Sequence, residues 1–332
     1  MSHSGPMPLM PTATRCTLGE PSQLVDHADH VYPCRAETAA SCLSFGERQR
    51  FQDQGFLLLD GACSAAELAG LRQVLCGLFD HGTGYAEGNL FDMVGADPTG
   101  QAASQPQLLN PSLYAPQLLL SAHFSRIQAI ARQLLGDRTE FCFDHSIVKR
   151  AGSTTSTPWH QDEAHHRDPQ HEFDQLSFWM PLQDVAEHNG CMCYLPGSNH
   201  GGVLQHRSLG GDTSLHALEC PVGAGDLGRV LVVPMSAGAC VMHGGRTLHA
   251  ALPNPSGADR LAYVLVFRGP PRPRVDPARF AWLDTQHTAD AERRQHWLRR
   301  GGYLVMLLRR LRRQRYLRRL LGVMNRRWQA RG

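Results

Sequence analysis

Long apolar runs are missing from this chain of 332 residues. None approaches the roughly 20 residues that a membrane-spanning helix needs. The N-terminus shows no charged segment followed by an apolar one, which is the pattern of a secretory signal. We therefore expect a protein that folds in water and resides in the cytoplasm.

Lysine is almost absent, and the cysteines form no metal-binding motif. Lys149 is the only lysine among 33 basic residues, and the ten cysteines include no Cys-x-x-Cys. The one close pair, Cys191 and Cys193, is too small a set for a zinc site with four ligands. Unpaired thiols in a reducing compartment are the expected state.

Charge is distributed unevenly although the formal net charge is only +3. Residues 291–332 contain 14 arginines and one acid, Glu292, whereas the residues before them carry a net −10. Such a basic segment favours contact with an anionic surface. It also contains two leucine-rich helical stripes that lie on opposite sides of one helix, so two short helical pieces are predicted over residues 304–324.

Three interpretations of this Arg-rich tail stay open. The tail can pack back on the acidic part of the chain, bind peripherally to a membrane, or contact another anionic partner. We expect no nucleic-acid partner, and the pattern does not set the number of subunits.

Local signals predict three parts: a flexible leader over 1–40, a domain over 41–275 and the helical tail over 276–332. Ser44 and Ser64 each precede a glutamate by three residues, which predicts two capped helices around a buried strand at 55–60. A second helical region is predicted at 118–135.

From 141 to 267 the chain reads as short strands separated by turns, including a hairpin at Asn189-Gly190. This pattern predicts a mainly β fold with flanking helices and a jelly-roll or barrel core.

A His-x-Asp triplet occurs three times, beginning at His27, His160 and His166. His27 lies in the polar leader and His166 in a charged loop, whereas His160 follows a strand-like run over 140–149. Because residues i and i+2 of a strand project to the same side, His160 and Asp162 are predicted to point together into the barrel.

His249 lies 87 residues beyond Asp162, and Arg260 follows 11 residues later. Two imidazoles and one carboxylate can occupy one face of an octahedral Fe(II) ion and leave three positions open. An arginine supplies a fixed pair of donors for a carboxylate of a small diacid. His243 is the rival for the second imidazole. A zinc-type hydrolase and a non-catalytic jelly-roll binding module are the alternative interpretations.

Residues 51–268 resemble the phytanoyl-CoA dioxygenase family of Fe(II)/2-oxoglutarate oxygenases. The segments that carry this resemblance are Pro158-Trp159-His160-Gln161-Asp162, Trp179-Met180-Pro181-Leu182, Asn189-Gly190-Cys191 with Leu195-Pro196-Gly197-Ser198, and His249 with Arg260.

The resemblance implies a double-stranded β-helix (a cupin-like jelly-roll). It also implies that Fe(II) is bound by His160, Asp162 and His249, and that Arg260 and Trp179 contact 2-oxoglutarate. The implied activity is hydroxylation of an unactivated C–H bond with O2, which releases succinate and CO2. The substrate would be a small molecule such as an acyl thioester, an amino acid or a natural-product intermediate.

Three further residues are predicted to contact the substrate. Lys149 precedes the metal motif by one strand, Gln161 lies inside it, and His165 follows it in a segment that a loop could use to cover the site.

Overall fold

Fifteen strands and eight helices are present in the computed structural model, which describes residues 42–95, 103–274 and 280–329. The leader predicted over 1–40 lies outside the described residues. The strands are β1 (Phe56–Leu59), β2 (Leu90–Asp92), β3 (Pro106–Leu109), β4 (Glu140–Lys149), β5 (Thr157–His160), β6 (His171–Glu172), β7 (Gln175–Pro181), β8 (Met192–Tyr194), β9 (Arg207–Ser208), β10 (Leu218–Glu219), β11 (Leu231–Val233), β12 (Cys240–Gly244), β13 (His249–Ala251), β14 (Arg260–Arg268) and β15 (Arg272–Pro273). The helices are α1 (Phe45–Gln54), α2 (Ala65–Asp80), α3 (Pro111–Tyr114), α4 (Ala122–Leu135), α5 (Ala224–Leu227), α6 (Ala281–Thr285), α7 (Ala289–Trp297) and α8 (Tyr303–Gln329).

The strands form a large and a small antiparallel sheet, together with two short strand pairs. The large sheet has the order β1-β12-β7-β14-β4-β3-β2, and the small sheet has the order β11-β8-β13-β5. This arrangement, with helices packed outside it, confirms the predicted mainly β fold class with flanking helices.

Strand β14 shows how the two apolar cores arise. Its residues alternate between the sheet faces. Tyr263 and Phe267 join the core beneath the helices, whereas Val264 and Val266 join the core between the sheets. Because both faces are buried, the strand has a continuous apolar sequence and no alternation of polar residues.

Both predicted capping boxes are confirmed. The Ser44 side chain accepts a hydrogen bond from the Glu47 amide, and the Glu47 carboxylate accepts one from the Ser44 amide. Ser64 and Glu67 repeat the pattern. The strand predicted at 55–60 is β1. The helical region predicted at 118–135 is interrupted, because Ser121 ends a 3-10 segment and caps α4.

The hairpin predicted at Asn189-Gly190 is wrong. A tight turn does form there, with Gly190 at φ 88°, but it joins β7 of the large sheet to β8 of the small sheet. The two strands therefore do not pair with each other, and the turn is a crossing between the two layers.

The expectation of two short helices within 304–324 is also wrong, because α8 runs without a break from Tyr303 to Gln329. The break lies before it, at the kinked segment Leu298–Gly302, where Gly301 adopts φ 89°. None of the helices in the described ranges is long and apolar enough to cross a membrane.

Candidate active site

Two histidines meet across a pair of strands in the small sheet. His160 ends β5 and His249 begins β13, and the two residues pair directly, with ring centroids 4.2 Å apart. Asp162 begins the 3-10 turn Asp162–His165 that follows β5. The expectation that His160 and Asp162 share one strand is therefore wrong, although both side chains reach the same site.

The three side chains present ligand atoms to one point. Oδ1 of Asp162 lies 3.9 Å from Nε2 of His160 and 3.6 Å from Nε2 of His249, and all three atoms lie within 4.8 Å of one another. Ligand atoms about 2.1 Å from a shared metal ion lie roughly 3–4 Å apart. The geometry therefore fits a facial set of two imidazoles and one carboxylate.

The backbone selects the histidine tautomers that a metal requires. Nδ1 of His160 lies 2.8 Å from the Pro158 carbonyl oxygen, and Nδ1 of His249 lies 2.9 Å from that of Thr247. Each Nδ1–H donates to its carbonyl, so each Nε2 keeps a lone pair directed at the site. Burial lowers the pKa of both imidazoles, which keeps them neutral at pH 7.

Neighbouring donors hold the second oxygen of Asp162. The Ser177 hydroxyl donates to Oδ2 at 2.5 Å, and His243 Nε2 lies 3.3 Å from the same oxygen. Burial works against ionisation of Asp162, but the hydrogen bond from His243 holds its pKa well below the usual range. The carboxylate is therefore an anion with Oδ1 left for a metal.

His243 lies beside the triad and does not join the group of side chains that converge on one metal position. Its Nδ1 lies 3.0 Å from the Tyr194 hydroxyl, while its Nε2 faces Asp162. Of the two rivals, His249 is thus the one whose nitrogen lies with His160 and Asp162.

Arg260 is a buried cation without partners on two of its nitrogens. The residue is 2 % exposed, and Nε and Nη1 form no hydrogen bond. Its Cζ lies 5.3 Å from the centroid of the Trp179 ring. Burial lowers the pKa of Arg260, but only to about 10, so the guanidinium stays charged at pH 7.

A buried charge without a partner costs several kcal/mol, on the order of 3–5. A carboxylate bound against Arg260 would remove that cost. Arg260, Trp179 and the three ligand residues all line one cavity of about 1070 Å³. The side chains present thus fit Fe(II) at the triad and a small dicarboxylate between the triad and Arg260.

The three predicted substrate contacts have different surroundings. His165 lines the cavity, with its ring stacked on His216 at 5.9 Å. The Lys149 ammonium instead donates to the backbone carbonyls of Ala251 and Leu252, at 3.3 and 2.7 Å. Lys149 is fully buried outside the cavity lining, and burial followed by the charge of Arg260 lowers its pKa to about 6.

Gln161 is likewise used by the protein itself. Its side-chain amide donates to the carbonyls of Gly202 and Arg246, and its oxygen accepts from the Leu204 amide. The polar atoms of Lys149 and Gln161 thus already have backbone partners, which favours structural roles, and the substrate contacts of these two residues stay predictions.

Two positioning residues, Ser177 and Gln175, were not found from the sequence. Both donate to Asp162 Oδ2, Gln175 at 3.4 Å. The sequence pattern that could have revealed them is the spacing of Gln175, Ser177 and Trp179 at every second position of an otherwise apolar strand. Residues two apart in a strand face the same side, so these three face the same way.

Comparisons with known proteins agree with this geometry. Residues 51–262 match the family model described as Phytanoyl-CoA dioxygenase (PhyH). A probable alpha-ketoglutarate-dependent hypophosphite dioxygenase of Stutzerimonas stutzeri is 28% identical over 220 residues, which are 64% of this chain and 74% of that protein.

Solved structures show the same fold. EvdO2 of Micromonospora carbonacea var. aurantiaca, complexed with 2-oxoglutarate, is 32% identical, covers 73% of this chain and 97% of its own, and has a TM-score of 0.61. EctD of S. alaskensis, at 18% identity, has a TM-score of 0.55 with 85% of this chain and 99% of its own covered, and shows the fold alone.

The fold and the site are those of an Fe(II)- and 2-oxoglutarate-dependent dioxygenase with a double-stranded β-helix core. The chain belongs to the phytanoyl-CoA dioxygenase family.

Proposed function

We propose that this enzyme hydroxylates an unactivated C–H bond of a small molecule, with conversion of 2-oxoglutarate to succinate and CO2. The substrate classes that we consider are acyl thioesters, amino acids and natural-product intermediates. The observation that carries the proposal is that the His160–Asp162–His249 group lies in one cavity with Arg260, whose Nε and Nη1 form no hydrogen bond.

Each residue then has one role. His160, Asp162 and His249 bind Fe(II), Arg260 binds the C5 carboxylate of 2-oxoglutarate, and Trp179 forms a wall of that pocket. When bound, iron and 2-oxoglutarate activate O2 for attack on a C–H bond.

The protein supplies position and a controlled environment. Ser177 and His243 hold Asp162 so that one oxygen faces the metal position. The Pro158 and Thr247 carbonyls orient the imidazoles. The buried wall around Arg260 excludes water, which strengthens the bond between the guanidinium and a carboxylate. His165, on the cavity wall, is proposed to contact the substrate.

The two alternatives explain less of the geometry. A metal-dependent hydrolase would use the same three ligands, but it would leave Arg260 as a buried charge without a purpose. A non-catalytic jelly-roll binding module would need neither the selected tautomers nor the anionic Asp162.

Anaerobic addition of Fe(II) and 2-oxoglutarate tests the proposal. A charge-transfer absorption band near roughly 500 nm should appear and should require both additions. Screening of substrate pools for succinate release under air would then identify the substrate. Absence of the band, or hydrolysis supported by Zn(II) without O2, would favour the hydrolase.

A second proposal concerns the outer face of α8, which we infer to bind an anionic membrane surface peripherally. Leu304, Leu308 and Leu311 are 61, 57 and 43% exposed on one side of this helix. Exposed arginines border them, including Arg312 and Arg315. Apolar residues flanked by cations suit an interfacial helix, whereas a second copy would bring like charges together.

Sedimentation with vesicles tests this inference. The protein should bind phosphatidylcholine vesicles that contain phosphatidylglycerol and should not bind phosphatidylcholine alone. A Leu304→Gln/Leu308→Gln variant should lose binding, while Leu227→Gln, at another exposed apolar side chain, should retain it. Equal binding by both variants would contradict the assignment to α8.

We also propose a cytoplasmic location, which is supported by the unpaired state of the cysteines among the described residues.

A further inference from the structure

The C-terminal segment forms a wall of the active-site cavity. Residues of α7 and α8 line it on one side, among them Arg294, Met306, Arg309, Arg310 and Arg313. The α8 residues recur at intervals of three and four, so they share one helical face. This face of α8 directs arginines toward the cavity, whereas the outer face carries exposed leucines.

The cavity lining has an excess of positive charge. It contains six arginines but only three carboxylates, those of Glu87, Asp162 and Asp290. Asp162 belongs to the metal site. Glu87 is paired with Arg309 at 2.8 Å, and Asp290 faces His216 at 3.9 Å.

Arg310 and Arg313 remain without a carboxylate partner among the described residues. Arg313 makes one long hydrogen bond, 3.4 Å from Nη1 to the Asn110 side-chain oxygen, and its buried Nε has no partner. Its Cζ lies 5.5 Å from the centroid of the Phe141 ring. Burial lowers the pKa of Arg313, the charge of Asp144 opposes this shift, and the charge of Arg310 adds to it.

Asp144 interacts electrostatically with Arg313, but the two side chains form no ion pair. Its carboxylate is fully buried and is already held by the Ser112 hydroxyl at 2.7 Å and by the Tyr263 hydroxyl at 2.8 Å. Burial raises the pKa of Asp144, which disfavours its anionic form. Two guanidinium groups thus line the cavity without an ion pair to a carboxylate in the part of the chain that the structure describes.

Strand register relates Ser177, beside the metal site, to Phe143 on another part of the cavity lining. Ser177, which holds Asp162, is paired with Val266, and Val266 is paired with Phe143, which also lines the cavity. Two strand spacings are about 10 Å. The backbones of Ser177 and Phe143, which both line the cavity, are therefore separated by a distance on the order of 10 Å.

We propose that Arg310 and Arg313 form an anion-binding site for a carboxylate or phosphate group of the substrate, remote from the carbon that is oxidised. Identification of the ligand as the substrate rests on the proposed function, whereas anion binding by the pair does not. Guanidinium groups suit both oxyanions, since each offers parallel N–H donors.

Calorimetric titration of the full-length chain with phenyl phosphate, benzoate and benzyl alcohol tests the site. It is carried out on protein loaded anaerobically with Fe(II) and 2-oxoglutarate, and again on protein without them. At least one anion should bind about tenfold more tightly than the alcohol. Comparison of the affinities for phenyl phosphate and benzoate shows whether the site prefers a phosphate or a carboxylate.

Variants assign the binding to the two arginines. Arg310→Gln/Arg313→Gln should weaken anion binding by about tenfold or more. Arg312→Gln, which changes an exposed arginine of the same helix outside the cavity lining, should not. If the double variant does not fold, Arg310→Gln alone tests the site. It changes an exposed side chain and should lower the anion affinity by a smaller factor.

Any one of three results would overturn the proposal. The anions and the alcohol bind with equal affinity, or Arg312→Gln loses as much anion affinity as the double variant. In the third, binding of the anion to the unloaded protein is lost only in Arg260→Gln. Failure of the dioxygenase function is separate. In that case the absorption band would be missing, while anion binding by the unloaded protein would persist.

Discussion

His243 Nε2 lies 3.3 Å from Oδ2 of Asp162, the oxygen that faces away from the two ligand histidines. The Tyr194 hydroxyl lies 3.0 Å from the other nitrogen of the His243 ring. The third imidazole of the site therefore contacts the carboxylate from outside the group His160, Asp162 and His249 that is proposed to bind the metal. Such outer contacts hold a ligand in the geometry that the metal requires.

Replacement of His243 should weaken iron binding without abolishing it. In His243→Gln, the affinity for Fe(II) should fall by about 10- to 100-fold, as is typical when an outer partner of a ligand is lost. His249→Ala should remove measurable binding under the same conditions. Anaerobic metal titration of both variants checks this, and equal losses would mean that His243 is itself a ligand.

Replacement of Arg260 should separate co-substrate binding from metal binding. Arg260→Gln removes charge-assisted hydrogen bonds worth about 1.5–3 kcal/mol each. The 2-oxoglutarate concentration for half-saturation should therefore rise by roughly 100-fold. Iron affinity should stay unchanged, and Arg260→Lys should restore part of the affinity. A parallel fall in iron and 2-oxoglutarate binding would contradict the assignment.

Glu67 should make stability depend on pH. Burial opposes its ionisation, but hydrogen bonds from the Ser64 backbone, Arg126 and His123 lower the pKa of Glu67 to about 2. Because the folded-state pKa is below the unfolded value, the ionised carboxylate stabilises the fold above about pH 4.5. This contribution is lost as the pH falls toward 2.

Urea unfolding of wild type and Glu67→Gln measures the effect. The free energy of unfolding should differ by about 2 kcal/mol at pH 7, and the difference should shrink at pH 3. If the difference were the same at both pH values, the stability lost in Glu67→Gln would come from packing or capping and not from the missing charge.

Trp282 should control attachment of the C-terminal segment to the turn that carries Asp162. Its indole N–H donates to the Ala164 carbonyl at 3.0 Å, and its ring stacks on Phe280. Trp282→Phe should cost about 1 kcal/mol, the contribution of one hydrogen bond. Trp282→Ala should cost about 3–5 kcal/mol. Hydrogen exchange of α7 and α8 should rise in the same order, and unchanged exchange in Trp282→Ala would show that other contacts hold the segment.

Local interactions explain the successful predictions. The Ser44 and Ser64 caps depend on residues three positions away, and β4 has the bounds 140–149 that its composition predicted. The family was also identifiable, because the residues of the site lie in short contiguous segments.

The errors arose where distant residues decide the backbone path. The chain leaves the sheet after His160, and the Glu163 amide donates to the Gly245 carbonyl while Arg246 binds the Glu163 carboxylate at 2.7 Å. Alternation along a strand could not indicate that turn. Likewise, the Asn189-Gly190 turn has the composition of a hairpin, and only the packing of two sheets makes it a crossing.

The amino-acid sequence by itself determined the kinds of chemistry available: two imidazoles, a carboxylate and an arginine at family spacing, on short strands separated by turns, a pattern that predicts a mainly β fold. Tertiary structure decided which face of α8 meets the cavity, why Lys149 is occupied by backbone carbonyls, and how His243 contacts Asp162. The reason is that caps and strand periodicity depend on neighbours within a few residues. The orientation of a side chain in a buried site depends on partners that the chain brings together only when it folds.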